Sequence, residues 1–260
     1  VAVINRGAGG SQEAYTFTKS KAGDPHYVLT ATNQLVTYPM VGEAGYDWRE
    51  FTPIVNLVFD PTVVVVQAHA PYQTLEDLIE AAKAEPGQLT AGGGQIGTQD
   101  HMGFLTLSEA TGIEARYVPF AGGGEILRNI LGGQIDFAVG NPSDFLASVE
   151  GGKLRFLVTL DEERSPAPAL ADVPTLRELG YDATFVVWRG WIGPPDLSDE
   201  QRDQVIELFR QVSEDENFKE NYVLRFGMRP TFLAGDEFEA FIAEREPEYR
   251  ALLQKAGVIQ

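Results

Sequence analysis

Leu89-Thr90-Ala91-Gly92-Gly93-Gly94-Gln95-Ile96-Gly97-Thr98 decides the fold. A short β-like run breaks into a small-residue turn, and a helical pattern from Asp100 to Ala110 follows. The same order recurs twice. Ala115 to Val118 runs into Pro119-Phe120-Ala121-Gly122-Gly123-Gly124 ahead of Glu125 to Leu131, and Ile135 to Val139 meets Gly140-Asn141-Pro142-Ser143 ahead of Asp144 to Val149. Glycine lets backbone N–H groups approach a ligand closely, and a helix N-terminus carries partial positive charge. If the three strands are parallel neighbours, their turns meet at the carboxyl edge of one sheet, where open α/β folds bind ligands. Such a cradle suits a small anion.

Composition narrows the field. The chain of 260 residues is 43% hydrophobic, enough for one large or two modest domains. No apolar run reaches the roughly 18 residues a membrane span needs. Net charge is −18, from 38 acidic and 20 basic residues, with no Lys/Arg cluster to offset it. That excludes a nucleic-acid partner and obliges any anionic ligand to rely on local dipoles. Cysteine is absent, which removes disulfides, thiolate nucleophiles and Cys-type zinc sites. His26, His69 and His101 are far apart and form no H-x-x-x-H pair, so no metal is expected. Val1-Ala2-Val3-Ile4 reads as the middle of a strand with no signal peptide before it, and further sequence upstream is expected.

Strand-like runs alternate with helical patterns, which indicates βα units and a mostly parallel sheet. Thr74 is the expected N-cap of a helix that Glu85-Pro86-Gly87 stops. Ser198-Asp199-Glu200-Gln201 is a capping box, with Val205, Leu208, Phe209 and Val212 as the apolar face behind it. Gly235-Asp236-Glu237 opens the last helix. Two runs stand out: Pro61 to Gln67, β-branched as a strand buried on both faces should be, and Thr184 to Trp188 leading into Arg189-Gly190-Trp191. The simplest layout is a lobe of residues 1–64 and 186–260 interrupted by an inserted α/β lobe of 65–185, with a hinge at the two crossings and a small-ligand cleft between the lobes.

Gly92-Gly93-Gly94-Gln95-Ile96-Gly97 also matches G-x-G-x-x-G formally. A dinucleotide site wants an acidic residue about 20 positions on, where this chain has Tyr117-Val118-Pro119-Phe120. An NAD-dependent oxidoreductase is therefore the alternative, and a carboxylate on a helix N-terminus, with Thr98 as N-cap and hydroxyl donor, the preferred reading. Two roles stand open for His101: a hydrogen-bond donor to a ligand, or a packed or capping histidine. Ser143 lacks a Gly-x-Ser-x-Gly elbow and reads as a helix cap, so no nucleophilic catalysis is expected. In Trp188-Arg189-Gly190-Trp191, Arg189 offers a planar fork matched to a carboxylate and Trp188 an apolar wall. The competing view makes Arg189 the partner of a nearby acid and Trp188 a core residue.

Val3-Ile4-Asn5-Arg6-Gly7-Ala8-Gly9-Gly10, Gly97-Thr98-Gln99-Asp100-His101, Tyr117-Val118-Pro119-Phe120-Ala121-Gly122-Gly123 and Leu131-Gly132-Gly133-Gln134-Ile135-Asp136 form an ordered set. Gly152-Lys153-Leu154-Arg155, Asp172-Val173-Pro174-Thr175 and Val187-Trp188-Arg189-Gly190 continue it. The set resembles the substrate-binding proteins of tripartite tricarboxylate transporters over essentially the whole chain, and the Trp-Arg-Gly version is similar to the tricarboxylate-receptor branch. The resemblance implies a type II periplasmic-binding-protein-like fold, two α/β lobes joined by two crossing strands. It also implies a monomeric periplasmic receptor, without cofactor or catalysis, that captures a di- or tricarboxylate and delivers it to membrane permease subunits. The family's carboxylate-binding turns map to Gly97-Thr98 and Ala121-Gly122-Gly123, with Asn33 and Asn141 as side-chain candidates. The chain departs from the family pattern in starting after the first βα unit with its proline/glycine-rich ligand loop, and in lacking the usual Pro before Gly7. The effector-binding portion of a transcription regulator shares the architecture and is a third class.

Overall fold

The computed structural model describes residues 1–6, 11–42 and 44–260; Gly7-Ala8-Gly9-Gly10, part of the first family motif, lie outside them. Along the chain the elements are α1 (Gln12–Lys19), β1 (Leu29–Ala31), α2 (Gln34–Val41), β2 (Thr52–Pro61), β3 (Val63–Gln67), α3 (Leu75–Ala84), β4 (Thr90–Gly93), α4 (Gln99–Thr111), β5 (Arg116–Pro119) and α5 (Gly123–Leu131). There follow β6 (Phe137–Gly140), α6 (Pro142–Glu150), β7 (Leu154–Thr159), β8 (Val186–Gly193), α7 (Asp199–Glu214), the single turn α8 (Glu216–Phe218), β9 (Arg229–Ala234) and α9 (Asp236–Lys255). The chain divides into two compact units: residues 1–59, 188–219 and 230–260, and residues 60–187 with 220–229.

Unit 2 is built on a five-stranded sheet in the order β5-β4-β6-β3-β7. β4 runs parallel to both β5 and β6, while β3 runs antiparallel to β6 and β7. Four of the five strands therefore run one way and β3 alone is reversed, so the sheet is mixed. Val63 to Val66 are fully buried, as a strand covered on both faces requires, but apolar content carries no strand direction. Ile126, Ile130, Ile135, Phe145 and Leu170 close over the sheet to make the core. The Leu131-Gly132-Gly133-Gln134-Ile135-Asp136 motif has a packing role: a Cβ on Gly92 would strike Ile135 Cδ1, and Asp136 Oδ2 accepts from both the N–H and the hydroxyl of Thr90 at 2.7 Å.

Unit 1 carries a four-stranded sheet in the order β1-β8-β2-β9. β1 and β8 pair antiparallel with Ala31 opposite Gly190. Gly190 is a glycine by necessity, because a Cβ there would enter the Phe238 ring of α9. Three local expectations change. Val1 to Ile4 form no strand and are exposed. β2 is a ten-residue strand that ends at Pro61, hidden in the sequence by Pro53, Asn56 and Asp60 within an otherwise apolar stretch. On α7 only Val205 is buried, with Leu208 and Val212 exposed and Phe209 stacked on Trp191 at 5.0 Å.

The segment 220–229 belongs to unit 2, whereas the sequence reading ran lobe 1 unbroken from 186 to 260. Gly227, at φ +81°, sits against Leu170 and Pro142, and Ser165 Oγ donates to its carbonyl at 3.2 Å. Arg229 pairs with the buried Asp161 at 3.1 Å. These contacts join positions more than fifty residues apart, so no local pattern announces them.

Candidate functional site

The carboxyl ends of β5, β4 and β6 lie side by side, with Gly93 opposite Pro119 and Gly92 opposite Ala138. Each strand feeds a helix, so α4, α5 and α6 start at one sheet edge. The first N–H groups of any helix lack an intrahelical acceptor and need another partner. Where α3, α7 and the short turn Trp48–Glu50 begin, complete capping boxes supply it, through Thr74 with Asp77, Ser198 with Gln201 and Asp47 with Glu50. At α4, α5 and α6 the N-cap residues Thr98, Gly122 and Asn141 make no side-chain cap bond. The edge thus offers helix N-termini that their own side chains leave open.

The loops before these helices are held by internal bonds, which decide which donors remain. Thr98 is the N-cap, but its hydroxyl donates to the Gln95 carbonyl at 2.7 Å and its N–H to the same oxygen at 3.0 Å. Gly97, at φ +84°, donates its N–H to His101 Nδ1 at 3.3 Å. Gly94 N–H donates to the buried Asp100 Oδ2 at 2.8 Å, and Tyr117 Oη donates to the Gly94 carbonyl at 2.8 Å. Ala121 N–H donates to Glu125 Oε2 at 3.0 Å. The Thr98 hydroxyl and the N–H groups of Gly97, Thr98 and Ala121, expected at a ligand, are here engaged in bonds that hold the loops. The backbone N–H groups that open α4 and α5, at Gln99 and Gly123, have no intrahelical acceptor.

Glycine serves two different ends here. Gly92 and Gly93 lie within β4 under Ile135 and Tyr117, where a Cβ has no room. Their need is packing, which removes the reason to read the run as a phosphate-cradling loop. Gly122 is the opposite case: it is exposed, extended at φ 172°, and a Cβ would meet nothing within 4 Å. Gly123 beside it packs against the Asp144 carboxylate.

The sequence profile described as "Tripartite tricarboxylate transporter family receptor" matches residues 1–258. The chain belongs to this receptor family. It is 28% identical, over 97% of its length and 76% of the relative's, to the UPF0065 protein in the gbd 5'region of Cupriavidus necator. The structure of periplasmic binding protein BugD shares its fold with a TM-score of 0.86 at 22% identity, covering 100% of this chain and 87% of that one. R. palustris Rpa4515 with adipate gives 0.90 at 20% identity, covering 99% and 87%. The fold is the one these two structures share, as the ordered motifs imply, and the family is one of transporter receptors.

In the receptor the remaining site residues stand as follows. Asn141 is buried as N-cap of α6, with Pro142 as the first helical residue; Ser143 is inside the helix and does not cap it. Trp188 is fully buried and meets Phe238 edge-on at 5.4 Å, so it packs as a core residue of unit 1 and not as the expected exposed apolar wall. Arg189, next on β8, is half-buried. Asn33 heads α2 in unit 1, fully buried, with both amide atoms lacking a partner. Asp100, Tyr117 and Gln99 were overlooked in the sequence; their signal was position, in the first helical turn and at the end of the neighbouring strand.

In this structure His101 holds the loop before α4. Its Nδ1 accepts from Gly97, which places the ring proton on Nε2, and the ring meets Tyr117 edge-on at 4.9 Å. Burial, not the helix dipole, lowers its pKa from 6.5 to about 4. The unfolded chain takes up a proton below pH 6.5 that the folded site refuses until about pH 4. Stability fully present above pH 6.5 is then lost progressively as the pH falls to 4. Thermal melts at stepped pH should show wild type declining more steeply than His101→Gln over that window. Parallel curves would refute a neutral, capping His101.

Proposed function

We propose that this receptor captures a small organic carboxylate at the α4/α5/α6 edge of unit 2, and delivers it in the periplasm to the membrane permease subunits of a tripartite transporter. One observation carries the proposal: three helices that start side by side at one sheet edge all lack side-chain N-caps. Thr74, Ser198 and Asp47 box α3, α7 and the turn at Trp48, and although α1, α2 and α9 are uncapped as well, it is the convergence of three open starts on one edge that supports an anion there. A carboxylate completes the donors that those helices leave open, and the summed dipoles favour its charge against a net −18. Gly122 and Gly123 at α5 and Gln99 at α4 are the contacts we assign, with Asn141 supporting them. In unit 1, Asn33 and Arg189 are candidates for carboxylate contact on chemical grounds, an unpaired amide and a planar cation. Membership of the receptor family and the adipate in Rpa4515 support the ligand class. Titration calorimetry with succinate, malate, citrate and adipate tests it. Saturable one-to-one binding of at least one acid, lost when its carboxylates are replaced by amides, is expected. Binding of NAD with no response to any of the acids would overturn the proposal.

A further inference from the structure

Pro61, Asn141 and Gln99 form a chain of amides whose direction is fixed at one end. A peptide carbonyl only accepts, so Asn141 turns Nδ2 toward the Pro61 oxygen, at 3.5 Å. That leaves Asn141 Oδ1 facing Gln99, whose Nε2 donates to it at 3.5 Å. The last atom of the chain, Gln99 Oε1, is buried and has no partner. Flipping the Gln99 amide does not cure this, because it would set two amide oxygens face to face. An acceptor is therefore left over, and a buried acceptor without a donor is costly.

Its place gives that acceptor a meaning. Gln99 is the first residue of α4, so Oε1 belongs to the same residue as one of the open backbone donors. An unsubstituted carboxylate answers only half of this arrangement: its oxygens accept from the helix N–H groups and repel Oε1. A ligand that carries a hydroxyl or ammonium group beside a carboxylate answers both halves. We infer that Gln99 is a specificity-determining residue that accepts a hydrogen bond from such a group, so that hydroxy- or amino-carboxylates are preferred over their unsubstituted counterparts. The inference rests on the carboxylate reading above and sharpens its ligand class.

Succinate, malate and aspartate differ only in carrying hydrogen, hydroxyl or ammonium at one carbon, and citrate differs from propane-1,2,3-tricarboxylate by one hydroxyl. Calorimetry on the full chain should give at least one substituted acid about a tenfold advantage over its unsubstituted partner, the worth of one buried hydrogen bond. Whether malate or aspartate holds the advantage identifies the donor as hydroxyl or ammonium. In Gln99→Met the ratio of substituted to unsubstituted acid should fall to within about twofold, a pattern that a uniform loss of affinity would not produce. Equal affinities across each series in wild type, or a ratio that survives Gln99→Met, overturn the inference and leave the carboxylate reading standing. Failure of every acid to bind overturns both.

Discussion

A Gly122→Val variant is expected to fold normally and to lose carboxylate affinity by roughly 100-fold, or about 2.7 kcal/mol. Both halves of that expectation come from the same glycine. Its φ of 172° is extended backbone that any residue adopts, and a Cβ would meet nothing within 4 Å, so valine fits the folded chain. Valine is a poorer N-cap than glycine, which costs under about 1 kcal/mol. The isopropyl group enters open space at the N-cap of α5, beside the N–H groups to which we assign the carboxylate. Melting temperature and calorimetric affinity, measured on the same preparation, decide the matter. Wild-type affinity in a folded variant would remove α5 from the site, and a collapse in melting temperature would show the turn to be structural.

Much of unit 2 was legible because its signals are local. Glycine turns, β-branched runs and helix starts each occupy fewer than about a dozen residues, and three of them in series predicted the edge at which α4, α5 and α6 begin. The fate of individual donors was not legible. Thr98 is a good N-cap residue by type, but whether its hydroxyl serves the helix, a ligand or the Gln95 carbonyl depends on a loop conformation set by Asp100, His101 and Tyr117. The sequence identifies residues able to cap; only the structure identifies caps that are not made. Long-range packing was equally hidden. Gly227 against Leu170 and Pro142, and Arg229 with Asp161, bring segment 220–229 into unit 2 by contacts that no window of sequence contains.

The electrostatics of the edge also differ from a simple count of charges. Asp100, Glu125 and Asp144 place an acid in the first turn of each of the three helices, which by the dipole alone would compete with an anionic ligand. Two of them are turned away from that role. Asp100 holds the Gly94 N–H and Glu125 the Ala121 N–H, both in the loops that precede their helices. Their charge is spent on shaping the approach to the helix rather than on closing its end. Burial with the Asp100 charge nearby pushes the Tyr117 hydroxyl up, so it stays protonated and continues to donate to the Gly94 carbonyl. Two of the three first-turn acids are thereby engaged by loop N–H groups, which lessens their opposition to the anion we propose there.

Trp188→Ala should cost about 3–5 kcal/mol of stability, the range for emptying a buried aromatic site. The alternation of β8 explains why so conspicuous a residue is structural. Trp188 and Gly190 point to one face, where Phe238 of α9 meets the indole at 5.4 Å and covers the glycine. Arg189 and Trp191 point to the other, where Trp191 stacks on Phe209. A Trp-Arg-Gly-Trp run thus divides into a core pair and a pair facing away from it, and the sequence alone does not say which face a helix covers. The loss should lower the melting temperature by roughly 10 °C for a chain of this size. Calorimetry well below the transition should give carboxylate affinity within about threefold of wild type, since the ring forms no part of the open helix edge. An unchanged melting temperature with a large loss of affinity would return Trp188 to the ligand and remove it from the core.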